Sequence, residues 1–193
     1  MSINPTNGIT SVIGDTGLGS LSGDLAAIGG SVYEIDTNNK LYSVNTTTAA
    51  LTVIGSTGIP GVNNPTTTQW DDSFTGVGGV LYYTFDAPGV APALYRINPS
   101  TGAATLVAPT LAGIDASVYL NGTFYVFNDV RTGGGPTTGQ ELTLNLGTGN
   151  TAFVTNISPN ATALYGAAGT PAIALAGIGI AAICVFRRQR RRL

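Results

Sequence analysis

Four stretches of this 193-residue chain can be written over one another, and that repetition constrains the fold more than any other feature. They are "INPTNGITSVIG" (3–14), "LYSVNTTTAALTVIG" (41–55), "LYRINPSTGAATLVA" (94–108) and "ELTLNLGTGNTAFV" (141–154). Each runs from an apolar segment to an asparagine, through a turn rich in Pro, Thr, Ser and Gly, into a second apolar segment. Short alternating segments separated by such turns read as antiparallel strands. The asparagines, Asn4, Asn45, Asn98 and Asn145, recur at intervals of 41, 53 and 47 residues. That spacing leaves room for two further strands between copies, a unit of four strands each.

The missing strands are legible. "GGSVYEID" ends at Asp36, "GGVLYYTFD" at Asp86 and "NGTFYVFND" at Asp129. Each opens on a Gly-containing turn and alternates aromatic and apolar residues, the pattern of a strand leaving a tight turn. Innermost strands are expected just before them, near residues 24–28, 73–77 and 115–120. A unit then reads as inner strand, Gly turn, aromatic strand, loop, "LYxIN" strand, "xTG" turn and outer strand. The pattern resembles the "LYxID…TGxxTxIG" repeats of bacterial β-propeller surface proteins, over roughly residues 1–160.

The resemblance implies an all-β fold of propeller-like repeats, four-stranded antiparallel blades, three complete and one leading half. Two arrangements remain open. The leading hairpin can pair with residues 162–165 to make a fourth blade, or the chain is a piece of a larger propeller with an exposed edge. Tyr33, Tyr42, Tyr82, Tyr95, Tyr119 and Tyr125 are expected to pack between blades. Asp36, Asp86 and Asp129 are expected to shape turns through local backbone hydrogen bonds.

The C-terminus is of another kind. Residues 169–186 carry no charge, and five of the eight cations follow at once in "VFRRQRRRL". As a helix, 18 residues span about 27 Å against a hydrocarbon core of about 30 Å. Residues 172–186 are therefore expected to form a transmembrane helix. Arg187, Arg188, Arg190, Arg191 and Arg192 would stop transfer and mark the cytoplasmic side. A breaker with proline, one apolar helix and a terminal arginine cluster resemble a PEP-CTERM sorting signal, with Gly169, Thr170 and Pro171 at the motif. That resemblance implies export, a membrane partner of the exosortase type, and removal of the tail during sorting to the surface or matrix. The expected layout is a β body over 1–166, a linker over 167–171, the helix over 172–186 and a cytoplasmic tail over 187–193. An exported chain is expected to carry a signal peptide, and "MSINPTNGIT" has none of its parts. Export thus requires a start upstream or a signal already removed, and a tail-anchored scaffold with a cytoplasmic body is the alternative.

Charge and residue types narrow the function. All ten acids precede residue 142, where only Lys40, Arg96 and Arg131 oppose them. An acidic body with no basic cluster argues against nucleic acid, whose phosphates require clustered Lys and Arg. There is no histidine, and the single cysteine, Cys184, lies in the apolar run, so neither a disulfide nor a Cys/His metal site is expected. Catalysis would fall to carboxylates, and the pair Asp71–Asp72 beside Trp70 is the most suggestive. Adjacent strand residues point to opposite faces, which works against joint action on one substrate. No cofactor is expected. Loop carboxylates and carbonyls can hold a structural calcium ion, but no spacing matches a known calcium loop. The reading is an exported, non-catalytic envelope or matrix protein that binds polysaccharide or surface proteins, or builds structure. The alternative is an enzyme acting on extracellular carbohydrate.

Overall fold

The computed structural model describes residues 2–4, 6–18, 21–38, 40–59, 71–87, 89–130 and 138–158. These residues form fourteen strands and no helix. A short hairpin comes first, β1 (Ser2–Ile3) with β2 (Thr10–Ser11). Three four-stranded antiparallel sheets follow, each in chain order from one edge to the other. The first is β3 (Leu21–Ile28), β4 (Ser31–Asp36), β5 (Lys40–Val44) and β6 (Leu51–Ser56). The second is β7 (Asp71–Val77), β8 (Val80–Ala87), β9 (Val90–Ile97) and β10 (Ala104–Pro109). The third is β11 (Ile114–Leu120), β12 (Thr123–Val130), β13 (Thr138–Leu144) and β14 (Thr151–Ser158). The four-strand unit and its internal order are those read from the repeats. The inner strands begin one to three residues earlier than expected. Residues 159–193 lie outside the description, and with them the expected body boundary at 166, the linker, the helix over 172–186 and the arginine tail. Among the described residues no helix is long and apolar enough to cross a membrane.

The sheets meet face to face, and strand alternation decides what each face offers. Ile35, Leu41 and Ile54 on the first sheet pack against Phe74, Leu81, Tyr83, Phe85, Tyr95 and Ile97 on the second. The other face of the second sheet gives Tyr82, Leu94 and Val107, which meet Ile114, Phe124, Val126, Leu142 and Leu144 of the third. Both faces of the second sheet are thus buried, so β8 reads as a nearly continuous apolar run rather than a strict alternation. The first strands of successive sheets lie closest together. The Thr75 hydroxyl on β7 lies within hydrogen-bond distance of both the carbonyl of Ser117 on β11, to which it donates at 3.0 Å, and the Ser117 hydroxyl, at 2.6 Å. A Cβ at Gly76 would collide with the carbonyl of Ala27 and the side chain of Ile28 on β3. Gly76→Ala is therefore expected to lower stability by roughly 1–2 kcal/mol, read from urea unfolding, because backbone rather than a flexible side chain fills the space.

The asparagine turns are alike down to single hydrogen bonds. The amide of Asn4, Asn45, Asn98 and Asn145 donates to the carbonyl of Ile9, Ala50, Ala103 and Asn150, at 2.8, 2.9, 3.0 and 2.9 Å. Each asparagine Oδ1 accepts from the amide two residues on, Thr6, Thr47, Ser100 and Gly147, at 2.8–2.9 Å. The side chain thus closes the turn that the backbone begins. The fifth position of every turn has positive φ. Gly8, Gly102 and Gly149 occupy it in three copies, and Ala49, at φ 62°, in the fourth. A left-handed alanine costs about 1–2 kcal/mol, partly offset by the greater freedom glycine has when unfolded. Ala49→Gly is expected to stabilise by about 0.5 kcal/mol, a rise of about 1–2 °C in melting temperature.

Candidate functional site

Buried polar side chains gather in two places, both set by register. On the second sheet Tyr83 is paired across β7–β8 with Phe74, which puts its ring edge-on to Phe74 at 5.8 Å. Its hydroxyl then reaches back to donate to the Asp72 carboxylate at 2.9 Å. On the opposite face the hydroxyls of Ser73 and Thr84 bond at 2.7 Å. Asp115 and Ser117 on β11 are buried beside this row. Polar side chains thus stand on the innermost strands β7 and β11 beside the apolar ones.

The second place is the outward face of the first sheet. Glu34 and Asp36 are two apart on β4 and so share a face, and Tyr42 on β5 pairs directly with Glu34. Asp36 accepts from the amides of Asn38 and Lys40, each at 2.9 Å, and from the Tyr42 hydroxyl at 2.9 Å. Burial, and then the nearby Asp36 charge, push the Glu34 carboxyl up to about 7. Burial, and then the bond to Asp36 and its charge, push the Tyr42 phenol up to about 12, so it stays a donor at any physiological pH.

The residues singled out from sequence divide accordingly. Asp36 shapes its turn as expected. Asp86 does not: it accepts from the amide of Gly113, at 3.1 Å, in the segment leading into the third sheet. The reason is a count of one. Asp36 stands six residues after Gly30, whereas Asp86 stands seven after Gly79. That single residue turns the side chain to the other face. Tyr33, Tyr82 and Tyr95 pack between sheets, and Tyr82 meets Phe124 edge-on at 6.1 Å. Tyr125 packs on the far face of the third sheet, while Tyr119 is partly exposed. Tyr42 is a hydrogen-bond donor before it is a packing residue. Asp72 is buried and held by Tyr83, while the side chains of Asp71 and Asp129 lie outside the description. So do Trp70, Arg131, Cys184, the motif Gly169–Thr170–Pro171 and Arg187, Arg188, Arg190, Arg191 and Arg192. Sequence reading passed over Glu34 and Tyr83. Their signal was present, since an acid and a tyrosine stand at the same distance from the Gly turn, four residues after Gly30 and Gly79.

No group of three or more metal-ligating side chains occurs among the described residues. An open groove of about 410 Å³ lies at the turn end of the third sheet, against Phe124, Leu144, Asn145, Asn150 and Thr151. No acid or base lines it. It presents hydroxyl, amide and backbone groups beside Phe124 and Leu144.

No protein-family model matches this sequence, and no curated protein matches it. Among solved structures the chain is similar to the crystal structure of the computationally designed Ika4 protein. The TM-score is 0.44, with 9% identity over 84% of this chain and 89% of that one.

Proposed function

We propose that this chain is an exported, non-catalytic protein of the cell envelope or extracellular matrix. Its body is propeller-like and serves to bind or to build, and its C-terminal segment anchors or sorts it. Three four-stranded sheets with adjacent first strands support the propeller-like reading of the body. The observation that carries the non-catalytic half is the use made of the buried and half-buried acids. Asp36, Asp72 and Asp86 each accept hydrogen bonds from their own or a neighbouring sheet. Glu34 has the raised pKa, and Asp36 two residues along the strand the close spacing, that carboxylate catalysis would want. They are 3% and 2% exposed, so no polymeric substrate reaches them.

Export rests on the tail, an uncharged run of 18 residues followed by five arginines. Its partners would be the membrane and an exosortase-type sorting enzyme, and the body's partners extracellular polysaccharide or surface proteins. The test is fractionation of the native product with intact-mass measurement and external protease. The expected result is a body cut by external protease, in the envelope with its tail or in the extracellular fraction without it. A tail-bearing product in the inner membrane, with its body shielded from external protease, would overturn the reading.

A further inference from the structure

We propose that β14 is an edge for self-association. Two copies of this chain pair it antiparallel about a two-fold axis at Phe153, which joins their third sheets into one. The contact involves the body alone and is independent of export.

The backbone of β14 faces outward at defined places. The amide of Asn145 donates to the Asn150 carbonyl at 2.9 Å, so these two residues form a hydrogen-bonded pair. Bonded and non-bonded pairs alternate along an antiparallel ladder. Leu144–Thr151 and Leu142–Phe153 are therefore non-bonded pairs, and Thr151 and Phe153 turn their N–H and C=O away from β13. The second sheet shows the same phase. Ala104 holds the place of Thr151 there, and its amide donates outward to the Thr57 carbonyl at 2.9 Å. Among the described residues β14 pairs only with β13, and no such cap forms on Thr151.

Natural sheets keep outer strands single with charge, proline or a covering segment. β10 has two of these devices, Pro109 and the Thr57 cap. β14 reads "TAFVTNIS", with no charge, proline or glycine. Its residues 152–156 are exposed without a break, whereas in β6 and β10 exposed residues come no more than two in a row. Phe153 is 58% exposed and Val154 46%. Val154 is the extra residue of a bulge, as Ile54 and Val107 are in β6 and β10. The bulge ends the regular stretch, so the pairing is short and reversible.

The chemistry of the strand selects a second copy. A charged edge would select a partner of opposite charge, and β14 carries none. Its match is another uncharged strand that mixes threonine with apolar side chains, which β14 itself is. With the axis at Phe153, the two Phe153 residues exchange both N–H···O bonds and set their rings side by side on one face. Glu141 is the one charged residue of β13. The two Glu141 side chains would stand at least three strand spacings apart, about 14 Å. That exceeds the screening length of about 8 Å at physiological salt, so their repulsion does not oppose the contact.

The test uses the full chain in detergent. Over an about 100-fold rise in protein concentration, hydrogen exchange at Thr151 and Phe153 is expected to slow by about 10-fold or more, with no change at Val53 and Leu106. Phe153→Lys puts a charge at the axis and is expected to abolish that slowing. In a Cys184→Ser background, Phe153→Cys is expected to form an intermolecular disulfide faster than Val53→Cys. The pairing holds the two Cα atoms at position 153 about 5.5 Å apart, within disulfide reach. Equal rates for the two thiols would assign any association to another part of the chain and overturn the proposal. Fast exchange at Thr151 and Phe153 at every concentration would overturn it even if the variants fail to fold. Slow exchange there in a sample that sediments as a monomer would overturn it too, and would show the edge covered within one molecule. None of these results bears on where the protein resides, so the export reading stands or falls separately.

Discussion

Phe85→Ala is expected to lower stability by about 4 kcal/mol, the largest loss of any single substitution considered. Phe85 is 1% exposed and stacks on Tyr83, with ring centroids 6.0 Å apart and planes at 21°. It lies in the cluster that joins the first and second sheets, between two rigid β faces. A truncated side chain leaves a cavity that facing sheets cannot close without shifting their backbones, which is why the high end of the range applies. The check is urea unfolding, with a lower midpoint and an unchanged slope. Phe153→Ala is the control. Phe153 is 58% exposed on an outer strand and should cost less than about 0.5 kcal/mol. Equal losses for the two phenylalanines would mean that the sheets are not held together through their faces.

The strand order was legible because it rests on two signals that depend only on local chemistry. Glycine or Asn-Gly marks each tight turn, and asparagine marks each wider one. Both recur wherever the backbone must bend, whatever surrounds them. What was not legible is the face each side chain takes. Asp36, Asp86 and Asp129 look equivalent as the ends of aromatic strands. Counted from the Gly turn, Asp36 is instead the counterpart of Phe85 and Asn128. In the first sheet that position closes a turn through Asp36. In the second it fills an interface with Phe85, and in the third Asn128 donates to the Ala112 carbonyl at 2.7 Å. The same backbone position thus does three different things, according to which sheet lies beside it. Periodicity specifies the strand but not its neighbour. For the same reason the pairing of Glu34 with Tyr42 was missed, because it needs the β4–β5 register.

Glu34 makes stability depend on pH in a direction opposite to that of most carboxylates. Its carboxyl is pushed from about 4.5 up to about 7 by burial first, and then by the Asp36 charge two residues along the strand. The folded state therefore holds this proton more tightly than the unfolded state does. The stability Glu34 contributes is fully present below about pH 4.5 and is lost as pH rises through about 7. One pKa step is about 1.4 kcal/mol. With screening by nearby water allowed for, the change amounts to about 2 kcal/mol. Wild-type protein should thus become easier to unfold with urea between pH 5 and pH 8. Glu34→Gln keeps the shape and removes the titration, so its profile over that window should be flatter, and at pH 8 it should exceed the wild type by about 2 kcal/mol. Parallel profiles for the two proteins would show that Glu34 is ionised in the fold at little cost. Glu34 would then be better hydrated than its 3% exposure implies.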